Sequence, residues 1–273
     1  MPLSTSDFDY IRTFVAGRSG IVLETGKEYL VEARLQPLAT RLRLAGIPEL
    51  VAAMRRTRDR DLERQVIESM TTHETTFFRD VAPWEALQKH VLPRLIQARR
   101  VTRQLKLWCA AASTGQEPYS IAMLLADQFP ELDTWQVQFI ASDLSLEVLE
   151  RARAGRYSQL EVNRGLPAHY LVKYFTRHGA TWEIRPEIRK RVDFQQINLI
   201  EPWPVLPAFD IVFIRNVMIY FDTDAKRSIL GRIRQRLRAD GHLFLGAAET
   251  TLNIDAGFAR TEYERAGCYR IAA

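Results

Sequence analysis

Over roughly the first 80 residues, apolar side chains recur every three to four positions, the spacing of a helix with one buried face. An apolar pattern opens at Phe8 and Ile11, with Ser4, Ser6 and Asp7 available to cap a helix start. Leu30, Leu35, Leu38 and Leu42 share a face of a second predicted helix over Tyr29–Leu44, with Gly46 as its expected stop. Two more helices are predicted over about Ile47–Arg56 and Arg60–Met70. No stretch here alternates apolar and polar positions, so residues 1–80 are expected to form a small all-α domain. Residues 81–103 follow as a linker with a connecting helix.

From about residue 104 the period changes. Short apolar runs at Leu105–Cys109, Val137–Ala141, Val192–Ile197, Ile211–Ile214 and His242–Gly246 alternate with helical patterns near Glu117–Gln128, Leu146–Ala154 and the stretch ending at Leu237. Strand alternating with helix implies a parallel sheet with right-handed crossovers, so residues 104–273 are expected to form an α/β domain. Residues 162–190 break the alternation with a helix near Pro167–Tyr174 and a candidate hairpin around Arg177–Arg185, the pattern of an inserted β-subdomain.

Composition narrows the class. The chain has 273 residues, 47% hydrophobic and 26% charged, which is ordinary for a globular protein. Its two cysteines, Cys109 and Cys268, exclude a disulfide framework and favour a reducing compartment. The N-terminus lacks the basic and apolar regions of a signal peptide, and no apolar run approaches the roughly 20 residues of a membrane span, so a cytoplasmic protein is expected.

The net charge of +5 is unevenly distributed. Residues 1–80 hold twelve basic and twelve acidic side chains, whereas residues 81–103 hold five against one. Ala33–Pro48, with Arg34, Arg41 and Arg43, and Ala225–Ala239 are acid-free. Such surfaces suit an anionic partner, although a solvated helix face is the plainer reading of any single run.

Candidate chemistry lies at the ends of the predicted strands. After Cys109 the chain runs through small residues, Ala110 to Gly115, to Gln116-Glu117-Pro118, a loop that lets a ligand approach the backbone at a helix start. It carries a single glycine and so misses the three-glycine dinucleotide fingerprint. Glu117 would repel a pyrophosphate but could pair with a cationic amine. Asp143, after the second strand, suits ribose hydroxyls, or equally a helix cap. Asn216 and Tyr220 follow the fourth core strand, at the mouth of the expected cleft; a packed aromatic is the plainer reading of Tyr220. The five histidines show no zinc-like pairing with either cysteine, and neither a nucleophile elbow nor a P-loop occurs. No metal is expected.

Five ordered motifs carry a resemblance: Thr72–Arg79 (THETTFFR), Ala110–Ser120 (AAASTGQEPYS), Ala141–Leu144 (ASDL), Asn198-Leu199, and Arg215–Asp222 (RNVMIYFD). Over nearly the whole chain the sequence resembles the chemotaxis receptor glutamate methyltransferases, the CheR family. The resemblance implies a helical N-terminal domain and a class I, Rossmann-like methyltransferase domain with an inserted β-subdomain. It implies S-adenosylmethionine as cofactor, S-adenosylhomocysteine as product, and glutamate 5-O-methyl esters formed on chemoreceptors. By the same resemblance, Glu117 would hold the cofactor's amino group and Asp143 its ribose. Asn198, Leu199, Asn216 and Val217 would flank the adenosine and sulfonium, and Thr75 and Arg79 would close over the methionine tail. His73 stands where the family often has asparagine and, as a hydrogen-bonding side chain, is counted with the cofactor-binding residues. Arg34, Arg41 and Arg43 match the helix that docks the receptor's methylation region, Tyr220 is the catalytic tyrosine, and an arginine between Arg94 and Arg103 is expected to assist. The implied partners are cytoplasmic methylation helices, met by a monomer, with neither nucleic acid nor membrane bound.

A carboxylate substrate needs no general base, because glutamate with a reference pKa of about 4.3 is already ionised at neutral pH. Positioning and exclusion of water remain for the enzyme to supply. Two other readings compete. A pI of about 9.3 invites a nucleic-acid methyltransferase, but the Asn/Asp-Pro-Pro-aromatic signature is absent where RNVMIYF stands. A non-catalytic nucleotide sensor would have no use for Glu117, Asp143 and Tyr220 together. Some CheR proteins also bind a receptor C-terminal pentapeptide on the β-subdomain edge; the short Phe175–Arg185 segment here implies an enzyme without that tether.

Overall fold

A computed structural model describes residues 3–57, 59–263 and 265–272, so Met1 and Pro2 of the N-terminal stretch read above lie outside it. The chain forms two compact units. One runs up to Thr72 and also takes in Tyr220–Ala225; the other comprises His73–Ile219 and the chain from Lys226 onward. The division at Thr72 precedes the expected boundary at 80, and the helical stretch after residue 81 belongs to the second unit.

The first unit is four helices: α1 (Thr5–Ser19), α2 (Glu28–Arg41), α3 (Ile47–Thr57) and α4 (Arg60–Met70). Ser4 caps α1 through its hydroxyl, which accepts from the Asp7 N–H at 3.1 Å, and Asp59 caps α4 in the same way. The helix stop expected at Gly46 comes earlier. Arg43 takes the left-handed conformation, φ 59°, and its N–H bonds to the Thr40 carbonyl while the Leu44 N–H reaches Ala39. This is the Schellman pattern, here closed by an arginine where glycine is usual. Phe8, Ile11, Val15, Val31, Leu35, Leu50 and Val66 form the core.

The second unit opens with α5 (Ala82–Ala86), a π-helical turn over Leu87–Val91 and α6 (Leu92–Ala98). There follow β1 (Gln104–Ala110), α7 (Gln116–Gln128), β2 (Gln136–Asp143), α8 (Leu146–Ala154), β3 (Arg156–Ser158), α9 (Gln159–Asn163) and α10 (Ala168–Tyr174). Next come β4 (Phe175–His178), β5 (Thr181–Ile184), α11 (Pro186–Arg189), β6 (Asp193–Gln196), β7 (Phe209–Ile214), α12 (Thr223–Arg236), β8 (Leu237–Leu245), β9 (Phe258–Arg260) and β10 (Cys268–Ile271). The main sheet has seven strands in the order β6-β2-β1-β7-β8-β10-β9; the first five are parallel, and β10 is antiparallel to both β8 and β9. All six residues of β7 are buried and all but Asp210 are apolar, as expected of an interior parallel strand. A second, three-stranded antiparallel sheet, β3-β5-β4, is the inserted subdomain.

Strand order places the site. The chain runs outward from β1 through β2 to β6, then returns to β7 on the other side of β1. β1 and β7 pair at that reversal, and in open α/β sheets ligands bind beyond the strands' carboxyl ends at such a point.

Candidate active site

The loop from β1 into α7 is held tightly. The Ala112 N–H bonds to the Ser142 carbonyl at 2.9 Å, and Ala111 and Ser113 both have positive φ, at 55° and 50°. Gly115 caps α7 at φ 96°, and a Cβ there would meet Tyr157 and Ala152 at 3.0 Å, so the turn admits no side chain. Ser113 joins two expected site residues: its N–H donates to Asp143 at 2.8 Å, and its hydroxyl donates to the His73 carbonyl at 2.8 Å.

Asp143 ends β2 almost fully buried. Burial raises its carboxyl above the usual carboxylate range; the N–H groups of Ser145 and Ser113 and the nearby His73 act against that rise. Both of its oxygens accept backbone bonds, and their remaining lone pairs suit a vicinal diol. The Ile197 N–H bonds to the Asp143 carbonyl at 3.1 Å, which brings Asn198 and Leu199 alongside. Asn198 is half-buried and Leu199 buried.

Glu117, in the first turn of α7, meets the Arg215 guanidinium at 2.5 Å, and its other oxygen accepts from the Cys109 thiol at 3.4 Å. Burial, with Glu117 beside it, pushes that thiol well above its usual range. Arg215 has no exposed side-chain surface. It also bonds Asp80 at 2.6 Å and the Arg79 carbonyl at 3.1 Å, fastening the His73–Asp80 segment to the ends of β1 and β7. Thr75 and Arg79 are half-buried on that segment. Asn216 and Val217, both half-buried, follow Arg215, and Asn216 is left-handed at φ 58°.

The expected cofactor residues of the second unit thus fall on the loops at one end of its sheet. Tyr220, in the 3-10 turn Met218–Tyr220, groups with the helical unit, and its carbonyl accepts the Val22 N–H at 2.9 Å. Arg41 and Arg43 are exposed. Arg34 is engaged: its guanidinium donates to the carbonyls of Met70 and Thr71, the latter at 3.1 Å, and to the Thr72 hydroxyl at 2.7 Å. It closes the end of α4, and burial lowers its pKa while nearby Tyr220 raises it. Of the arginines from Arg94 to Arg103, Arg99 bridges Asp210 and Asp240 near the amino ends of β1 and β7, Arg94 donates to the Tyr263 hydroxyl at 2.6 Å, and Arg103 bonds Thr134. Arg99 therefore sits at the end of the strands away from Asp143 and Glu117.

Sequence reasoning missed Ser113, Asp80 and Glu249 and gave Arg215 no role of its own. A carboxylate or hydroxyl just past a strand end was the available signal. Among the described residues, no group of three or more His, Cys, Asp and Glu could hold a metal ion.

The donor set is two buried acids, Glu117 and Asp143, and the half-buried amides of Asn198 and Asn216, which suits a cationic nucleoside and not a polyphosphate. Comparison with known proteins agrees. Residues 73–266 match the model of the CheR methyltransferase SAM-binding domain, and residues 6–71 match the CheR all-alpha domain. Chemotaxis protein methyltransferase 1 of Pseudomonas aeruginosa is 42% identical over 93% of this chain and 93% of its own. A chemotaxis protein methyltransferase of Pseudomonas putida is 40% identical over 91% and 92%, and the Escherichia coli chemotaxis protein methyltransferase is 36% identical over 94% and 89%.

Proposed function

The chain belongs to the CheR methyltransferase family, and from that premise we propose that it methylates glutamate side chains of chemoreceptors, using S-adenosylmethionine to form glutamate 5-O-methyl esters. The observation that carries this reading is the pair of buried acids at the reversal point of the sheet, Glu117 for the donor's amino group and Asp143 for its ribose. Asn198, Leu199, Asn216 and Val217 flank the adenosine and sulfonium, Thr75 and Arg79 close over the methionine tail, and His73 hydrogen-bonds the cofactor in place of the family's asparagine. When bound, the cofactor supplies an activated methyl group on a cationic sulfur. Every other task falls to the chain: binding the donor, excluding water and aligning an already ionised carboxylate. Tyr220 orients the reacting groups by hydrogen bonding, since no proton has to be removed.

Arg41 and Arg43 dock the receptor's methylation helices, supported by their exposure beside a run without acids. Arg34, spent on the end of α4, holds that helix in place. No described helix is long and apolar enough to cross a membrane.

The β-subdomain bears on how the receptor is found. Only Gly179 and Ala180 join β4 to β5, with Gly179 left-handed at φ 59°. So short a turn fixes the hairpin's register and leaves no longer loop to frame an added peptide strand. The enzyme recognises its receptor without a C-terminal pentapeptide. Titrating the receptor-tail pentapeptide by calorimetry is expected to give no heat; micromolar binding would overturn this.

Transfer of labelled methyl from S-adenosylmethionine to a receptor fragment, released as methanol by base, tests the activity as a whole. Label resistant to base, or its absence from the receptor fragment, rejects it.

A further inference from the structure

Gly246 follows the last residue of β8, and three residues later Glu249 folds back on it. The Glu249 N–H bonds to the Gly246 carbonyl at 3.0 Å, and the Glu249 carboxylate accepts the Gly246 N–H at 2.6 Å. The same carboxylate accepts two more backbone donors from the loop leaving β7: Asn216 N–H on Oε2 at 2.8 Å and Met218 N–H on Oε1 at 2.7 Å. It is 8% exposed. A Cβ on Gly246 would stand 2.7 Å from Glu249 Oε2 and 2.8 Å from Asn216 Nδ2, so the three residues fit only with glycine at 246.

The loop needs such a clamp. Asn216 is left-handed at φ 58°, a conformation asparagine adopts more readily than other residues with a Cβ but still at some cost, and the N–H groups on either side of Val217 would otherwise lack partners. Charge-assisted bonds donated to one carboxylate offset both costs.

We propose that Glu249 is a positioning residue for methyl transfer. Its carboxylate sets the Asn216-Val217 backbone, acting through the loop that flanks the donor. The inference rests on the reading of Asn216 and Val217 given above.

Glu249→Gln keeps the shape but turns one acceptor oxygen into a donor facing a backbone N–H. S-adenosylhomocysteine affinity, measured by calorimetry, is expected to fall about tenfold, the effect of losing one buried charge-assisted bond. The turnover number should fall with it, while KM for the receptor fragment stays unchanged. A merely structural role would lower the active fraction and leave the affinity of the folded protein alone. Unchanged affinity and turnover overturn the proposal. Wild-type protein that does not bind S-adenosylhomocysteine instead rejects the cofactor reading, and the inference falls with it. Should E249Q not fold, amide exchange in the wild type decides. Protected Asn216 and Met218 amides in the ligand-free protein support the clamp, and amides exchanging at open-loop rates refute it.

Discussion

The two units bury their side chains on different terms. In the helical unit the described core is apolar, with Ser19 its one buried polar side chain. Its charged groups stay at the surface or, like Arg34, reach in to close a helix end. The α/β unit buries Glu117, Asp143, Asp210, Arg215, His242 and Glu249 as well as a larger apolar core. Removing charge from water is costly unless every group finds a partner, and acids buried with an arginine at the carboxyl ends of strands are the pattern that marks a candidate functional site. The helical unit needs only shape and an exposed charged face.

The largest test of this contrast is Arg215→Met. It leaves the buried Glu117 without its cation and the exposed Asp80 without a partner, and removing one member of a buried ion pair costs about 3–5 kcal/mol. Denaturant unfolding of the whole chain should show that loss; a change under about 1 kcal/mol would mean the network carries little of the unit's stability.

His242 tests buried charge through pH. Burial chiefly, then Arg270, lowers its pKa to about 4 against the opposing Asp240, and among the described atoms both ring nitrogens lack a partner. The folded pKa lies below the unfolded value of about 6.5, so the unfolded chain binds the proton first. The stability that comes from keeping His242 neutral is complete above pH 6.5 and is lost as pH falls towards 4, by about 2–3 kcal/mol. Asp240, held low chiefly by Arg99, loses its contribution only at lower pH, and Asp143, raised by burial, changes in the opposite sense. His242→Leu should therefore flatten the wild-type slope between pH 6.5 and 4 in thermal unfolding; parallel curves would assign that slope elsewhere.

Asp143→Ala should weaken S-adenosylhomocysteine binding by about 1–3 kcal/mol in calorimetry, the range for hydrogen bonds to a charged acceptor. Equal affinity would remove Asp143 from the site.

The smallest stability effect belongs to the helical unit's face. Reversing Arg41 and Arg43 to Glu should change stability by less than about 0.5 kcal/mol, raise the receptor KM at low salt and leave cofactor affinity alone. A loss independent of salt, or one of cofactor affinity, would mean the face does not dock an acidic partner.

Much of this was legible in the residues. The 3.6-residue spacing located α1 to α4, and the alternation of apolar runs with helices located the parallel strands and the insert, because both periods are local properties of backbone geometry. Asp143 and Glu117 could be singled out because a strand end followed by a helix is readable in one stretch of chain. Other features were decided by tertiary structure. The end of α2 at a left-handed Arg43 depends on how the next turn closes, and the antiparallel β9 and β10 become strands by pairing at a sheet edge. Arg215 reaches Glu117 across 98 positions of sequence, and Glu249 reaches Asn216 across 33. Periodicity specifies which face of an element is buried, but the partner of a buried charge is whichever group the folded chain brings within hydrogen-bonding distance.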